Sequence, residues 1–442
     1  MESSNQLSRR HFLATTGAVV ASAGLGGTKA TAAATGKPAL AIDGGPKAVL
    51  EKLPTVARWG DPEREQLDAA LSQNSLLYWK GPRTALFTKR FQEFCPVKYT
   101  MTCSSGTAAL HIAVAAAGIG LGDEVITTGI TDVGTVIGVI YQQGVPVFAD
   151  LVADTYNLDP ADVERKITPK TKAIIAVHLA GNPCRVDEFK AIADKHKLIL
   201  IEDCAQAWGA KYRGRPVGTT GHFACFSLQQ SKQITCGDGG VVGSNDEQFG
   251  PLLQSFGDKG SSRSHPGLQQ HFATNYRMTE LQAGFAAAQL GRLEKIAATR
   301  ARVGGILGEK LANVPGIMPH GIDPADRATY WFYMFRMLPD KLKCDRAQFV
   351  KSLAAEGVPA SAGYIQVPLY GNPVFQQHGF FAGRWPVKEF GLTTMDYSKV
   401  SLPETNGILQ TGVRMVLNDA MTETYAASVG DAIRKVAEHY AA

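Results

Sequence analysis

From about residue 100 the chain alternates short, apolar, β-rich runs with helix-length patterns, and this alternation limits the possible folds more than any other feature. Strand-like runs at 99–103, 124–127, 146–150 and 173–178 are followed by helical patterns at 107–117, 135–142, 160–166 and 186–196. The run 198–202 closes the series, before two further strand-like runs at 223–228 and 240–243. Strands separated by helices do not pair as hairpins. They predict an α/β fold with a mixed, mostly parallel sheet covered by helices on both faces, and ligands gathered at the carboxyl ends of its strands.

A long helical pattern over 279–311 then leads out of this core. Residues 315–442 have a different character: an aromatic strand-like run at 330–338, a helix at 346–356, a Gly/Pro-rich stretch at 357–385 and a closing amphipathic helix at 425–439. The expected organisation is a large domain over 35–314, including an N-terminal segment, and a smaller α+β domain over 315–442. At 442 residues the chain is long enough for both, and 45% hydrophobic with 19% charged residues excludes disorder, collagen and a polytopic membrane protein. A net charge of +5 without a basic cluster gives no footprint for nucleic acid.

Residues 1–34 read as a leader rather than as part of the fold. Ser8-Arg9-Arg10-His11-Phe12-Leu13 precedes a weakly apolar stretch and the small residues Ala30-Thr31-Ala32-Ala33-Ala34. This resembles a twin-arginine export signal. It implies a chain exported already folded, to a periplasmic or other extracytoplasmic site, or retained in the cytoplasm where the signal does not function. The apolar stretch falls short of the ~20 residues that span a bilayer, so no stable membrane insertion is expected after processing. The cysteines Cys95, Cys103, Cys184, Cys204, Cys225, Cys236 and Cys344 lack any C-x-x-C spacing, and no metal site is expected. Most of them read as small buried hydrophobes.

Three segments carry candidate chemistry. Phe226-Ser227 runs into a polar loop with one lysine, Lys232, and then the turn Gly237-Asp238-Gly239-Gly240. Ile201-Glu202-Asp203 puts Asp203 at the end of an expected central strand, where it can also serve as a cap for the next turn. Ser104-Ser105-Gly106-Thr107 joins a strand to a helix, an arrangement that suits a phosphate or an ordinary N-cap.

Together with Gly122-Asp123-Glu124-Val125-Ile126, Val177-His178-Leu179 and Asn275-Tyr276-Arg277-Met278-Thr279-Glu280-Leu281, these motifs resemble the DegT/StrS-type aminotransferases over roughly residues 38–440. The resemblance implies fold type I, the cofactor pyridoxal 5'-phosphate, and transfer of an amino group from glutamate or glutamine to a keto-sugar or cyclitol. Position by position, Lys232 matches the lysine that forms a Schiff base with the cofactor and moves the proton. Asp203 matches the partner of the pyridine nitrogen, and Gln206 the side chain near the phenolic oxygen. Gly106, Thr107 and Ser227 match phosphate ligands. Asn275 matches a residue that reaches the neighbouring subunit's phosphate, which implies a homodimer with shared sites, although by itself it also suits a helix N-cap region.

Three positions depart from the family pattern. Asp132, in Gly129-Ile130-Thr131-Asp132-Val133-Gly134, stands where an aromatic residue is usual, His222 where an acid is common, and Asp238 where the Gly-rich turn usually has Glu. Sugar dehydration or epimerisation on the same cofactor, or a non-catalytic ligand-binding protein, are the other functions such a chain can have. Retention of Lys232 and Asp203 favours amino transfer.

Overall fold

In a computed structural model, residues 39–261 and 267–442 are described, so the leader over 1–34 lies outside them. Pro38–Ala442 forms one compact unit built on two main sheets. The first contains β1 (Tyr99–Cys103), β2 (Glu124–Thr128), β3 (Val145–Ala149), β4 (Thr171–Val177) and β5 (Ile199–Asp203). A two-stranded ribbon of β6 (Lys211–Tyr212) and β7 (Arg215–Pro216) follows, then β8 (Phe223–Ser227) and β9 (Gly240–Ser244) rejoin the first sheet. Its order is β1-β9-β8-β5-β4-β2-β3. All neighbouring pairs from β8 to β3 are parallel, and β9 alone runs antiparallel to both its neighbours.

The sheet is buried on both faces. In β5 every residue after Ile199 is buried, and β3, β8 and β9 are buried throughout, as helices on either side of a parallel sheet require. The helix Val186–His196 shows how a crossover is specified. Val186, Phe189, Ile192 and Ala193 form its buried stripe, Asp187 and Glu188 occupy the first turn, and Lys195 and His196 the last.

The pattern at 279–311 makes two helices, Glu280–Leu290 and Leu293–Leu311, rather than the single long helix expected. Thr279 and Gln282 form a reciprocal capping box at the first start. The ladder breaks at Gly291, whose N–H turns back to Ala288 while that of Arg292 turns back to Gln289. Apolar periodicity alone does not register such a break, because both helices keep an apolar face.

The second sheet is antiparallel, with β10 (Ile317–Met318), β11 (Phe332–Met337), β12 (Ala360–Ala362) and β13 (Gly412–Val416) in the order β10-β11-β13-β12. Alternation along β11 joins the two sheets. Tyr333, Phe335 and Met337 pack with Val303, Leu307, Ile433 and Val436 of the flanking helices, whereas Phe332 and Met334 pack with Ile126, Ile174 and Ala176 of the first sheet. Each of these side chains contributes about 1.5–3 kcal/mol by leaving water. All seven cysteines are free, five of them fully buried. No described helix is long and apolar enough to cross a membrane.

Candidate active site

The carboxyl ends of β1, β5 and β8 converge. Gly240 pairs with both Cys103 and Ser227, and Asp203 pairs with Cys225, so the loops leaving these strands share one edge. A cavity of about 300 Å³ lies there, lined by Gly106, Thr107, Asp132, Thr135, Asp203, Ser227, Lys232, Asp238 and Trp331 among others. Five of the expected site residues therefore meet in one place, drawn from three separate β–loop junctions.

One wall is the start of the helix Gly106–Ala116. Ser105 caps it by accepting from Ala108 N at 3.0 Å, and the geometry of a helix start leaves N–H groups at Gly106 and Thr107 without intrahelical acceptors. A side chain at Gly106 would be only 2.6 Å from Ser227 Cβ, so glycine lets the helix approach the end of β8. The hydroxyls of Thr107 and Ser227 flank these N–H groups, a donor set that fits a phosphate.

Asp203 forms the floor. Its Oδ2 accepts from Thr135 Oγ1 at 2.9 Å and its Oδ1 from Ala205 N at 3.1 Å, while Thr135 is itself paired with Thr131 Oγ1 at 2.8 Å. Burial raises the carboxyl above its ordinary range, and these two hydrogen bonds with Lys232 only partly oppose it. A cationic partner such as a pyridinium nitrogen would relieve that cost.

Lys232 is buried, and loss of hydration lowers its ammonium from 10.5 to about 8, with Asp203 and Asp132 pulling the other way. Its Nζ lies 3.7 Å from the ring centroid of Trp331, whose Nε1 donates to Ser231 O at 2.8 Å. From behind, Arg58 donates to the carbonyl of Lys232, and Arg300 donates to that of Tyr330, next to Trp331, at 2.9 Å. The lysine and its aromatic cover are thus held through their backbones.

The remaining expected residues lie elsewhere. Gln206 is buried outside the cavity lining, its Oε1 accepting from Ala180 N at 2.8 Å and its Nε2 donating to Tyr364 OH at 3.3 Å. Asn275 is exposed and away from the cavity of its own chain, with Oδ1 accepting from Arg277 N at 3.3 Å. Asp132 lines the cavity, and His222 Nδ1 accepts from Leu200 N at 2.9 Å, away from it. Sequence reasoning missed Thr135, Trp331 and Arg58. Trp331 had a faint signal, because it opens the aromatic run before β11; Thr135 and Arg58 had none.

Beside Asp203, on the other face of β5, His178, Glu202 and Cys204 bring potential ligand atoms within 4.8 Å of one another. Glu202 is already filled by donors: Gly218 N, Thr220 N, Gly221 N and His178 Nε2, at 2.6–3.0 Å. This cluster ties the loop before β8 to β5.

Residues 59–434 match the DegT/DnrJ/EryC1/StrS aminotransferase family. The chain is 39% identical over 274 residues to the GDP-perosamine synthase of Caulobacter vibrioides, covering 62% of this chain and 73% of that protein. It is 36% identical over 302 residues to the L-glutamine:2-deoxy-scyllo-inosose aminotransferase of Streptomyces kanamyceticus, covering 65% and 70% respectively. The aminotransferase from Psychrobacter cryohalolentis superposes with a TM-score of 0.79 at 29% identity, over 88% of this chain and 99% of that one. A lysine and a carboxylate facing one cavity, a phosphate-sized cradle beside them and a match over most of its length agree: the chain belongs to the DegT/DnrJ/EryC1/StrS family and is a pyridoxal-phosphate-dependent aminotransferase of fold type I.

Proposed function

We propose that this enzyme carries an amino group from glutamate or glutamine to the carbonyl of a keto-sugar or cyclitol, with Lys232 as the residue that holds the cofactor and moves the proton. The observation that carries this is Lys232 itself: a buried amine, lowered to about 8, facing the same cavity as the buried carboxylate of Asp203. Bound pyridoxal phosphate supplies an electron sink for the pair left when an amino acid loses its Cα proton. The chain's own groups make that possible. A lowered pKa leaves a usable fraction of Lys232 neutral near pH 7–8, able to accept a proton and return it. Thr135 and Ala205 orient Asp203, whose carboxylate would pair with the cofactor's pyridinium nitrogen, and the N–H groups of the helix start at Gly106 and Thr107 would hold its phosphate. Trp331 covers the amine and limits its access to water.

The test is the visible spectrum of the purified protein with pyridoxal phosphate, before and after glutamate or glutamine, beside Lys232→Ala. A band that the variant lacks and that a donor discharges is expected. A band that no donor discharges would replace this reading with dehydration or epimerisation, and no band would leave a ligand-binding protein.

The functional unit in this proposal is a homodimer in which Asn275 serves the partner's site, a role supported by its exposure outside its own cavity. Mixing Lys232→Ala with Asn275→Ala chains should restore activity, since a hybrid dimer then has one intact site; no recovery would refute the sharing. Export through Arg9-Arg10 is proposed from the leader motif. Fractionation of cells with an Arg9→Lys/Arg10→Lys control checks it, and recovery of the uncleaved chain in the cytoplasm alone would overturn it.

A further inference from the structure

The start of the helix Gly106–Ala116 is held from two directions. On one side it packs on the ends of β8 and β9: a side chain at Gly106 would meet Ser227 Cβ, and one at Gly240 would be 2.2 Å from Ser105 O. On the other side stands Tyr276. Its carbonyl accepts from Ser104 N at 2.7 Å, its N–H donates to Gly257 O at 3.0 Å, and the backbone of its neighbour Arg277 bridges to Cys103. Asp258 fixes this stretch further, accepting from Arg277 Nη1 at 3.2 Å and from the Tyr78 hydroxyl at 2.6 Å.

The Tyr276 side chain reaches the helix itself. Its hydroxyl lies 2.8 Å from Nδ1 of His111, a buried residue one turn after Thr107 and on the same face. His111 Nε2 accepts from Gln142 Nε2 at 2.9 Å, and burial lowers the imidazole below its ordinary value. A neutral ring that accepts at Nε2 carries its proton at Nδ1, so Nδ1–H donates to the Tyr276 oxygen. Gln142 directly follows the helix Gly134–Tyr141, whose Thr135 donates to Asp203. A side chain at Gly138 of that helix would be 2.7 Å from His111 Cα, so glycine lets the two helices meet there. His111 thus ties together the helix of the phosphate cradle, the helix that orients Asp203 and the Asn275–Arg277 stretch. Neither His111 nor Tyr276 lines the cavity, so both act on it through these elements.

We propose that Tyr276 is a positioning residue for the cofactor phosphate, acting through His111. Ser104 and His111 lie on either side of Gly106 and Thr107 in the chain, and Tyr276 holds the first by its carbonyl and the second by its hydroxyl. The helix start between them is kept from sliding or turning, which leaves its N–H groups pre-aligned with the Ser227 hydroxyl before a phosphate arrives. The proposal rests on the reading above that this helix start holds the phosphate of pyridoxal phosphate.

The experiment titrates apoprotein with pyridoxal phosphate and with pyridoxal, which has the same ring and aldehyde but no phosphate, and follows the absorbance of the bound form. Tyr276→Phe keeps the ring against the core and removes only the hydroxyl. Its Kd for pyridoxal phosphate should rise about fivefold, the effect of one neutral hydrogen bond, while that for pyridoxal stays within about twofold of wild type. An equal loss for both compounds, as a general loosening of the cavity would give, overturns the proposal, and so does an unchanged Kd for both. His111→Asn, whose amide places a donor where Nδ1–H stood, should bind like wild type, and His111→Leu like Tyr276→Phe. Combining Tyr276→Phe with His111→Leu should lose no more than either alone; losses that multiply show two independent effects and overturn the proposal. Should His111→Leu fail to fold, the comparison of the two compounds in Tyr276→Phe decides by itself. Failure of the underlying reading looks different: wild type then binds pyridoxal as tightly as pyridoxal phosphate, and there is no phosphate cradle to position.

Discussion

Glu202 and Asp203 are consecutive on β5 and face opposite sides of the sheet, and the two regions treat a buried carboxylate in opposite ways. On the Glu202 side, three backbone N–H groups and His178 fill the oxygens. Burial works against that charge, but the bond from His178, with those from Gly221 and Gly218, holds the carboxyl below its ordinary range. On the Asp203 side only Thr135 and Ala205 donate among the described residues, and the carboxyl is raised. A carboxylate that only holds structure is saturated by the protein. One that serves a ligand is left short of partners, so that the ligand supplies the missing interaction.

Four measurements test whether the two carboxylates differ in this way. Lys232→Ala should reduce amino transfer at least about 10⁴-fold, the scale of losing a nucleophile and proton carrier together, while the protein stays folded. Steady-state assay with glutamine checks it; survival of more than a few per cent would detach the cavity from the chemistry. Glu202→Leu should cost about 3–5 kcal/mol in urea unfolding, because three N–H groups and His178 lose a buried partner. A loss below about 1 kcal/mol would erase the distinction between the two sides.

Lys232→Met should move stability the other way. A folded-state value near 8 against 10.5 means that the native apoprotein disfavours the ammonium. Removing it should gain about 3 kcal/mol at pH 7, by the equivalence of about 1.4 kcal/mol per unit. The penalty is complete below pH 8 and disappears between 8 and 10.5, so the gain should shrink as pH rises through that window. A gain that does not vary with pH would contradict the burial of a titrating amine. The same value implies that apoprotein captures pyridoxal phosphate faster as pH rises through about 8. Thr135→Val has the smallest expected effect, about tenfold in kcat with a stability change near 1 kcal/mol, because Asp203 keeps the bond from Ala205. Unchanged kcat would show that Thr135 does not orient the carboxylate.

Much of this molecule was legible before the structure, for local reasons. Strand and helix periods marked β1–β5, β8 and β9 to within a few residues, since burial on a sheet repeats over short distances. Lys232, Asp203, Gly106, Thr107 and Ser227 were legible through resemblance, and they meet in one cavity. The break at Gly291 was hidden, because apolar residues continue on both sides of it. Thr135 and Arg58 were hidden for another reason. They act on Asp203 and Lys232 from 68 and 174 residues away, and nothing in their own surroundings announces a partner.

Local pattern along the chain was enough to specify a helix-covered, mostly parallel sheet with two acids together at the end of its central strand. Neighbouring residues on a strand must face opposite ways, so one of the two had to point toward the loops that form the site. Which one did, and how strained its charge became, was decided by the tertiary structure. Protonation depends on the water, donors and charges that distant segments bring or exclude: the Gly218–Gly221 turn on one side, and Thr135, Trp331 and Lys232 on the other.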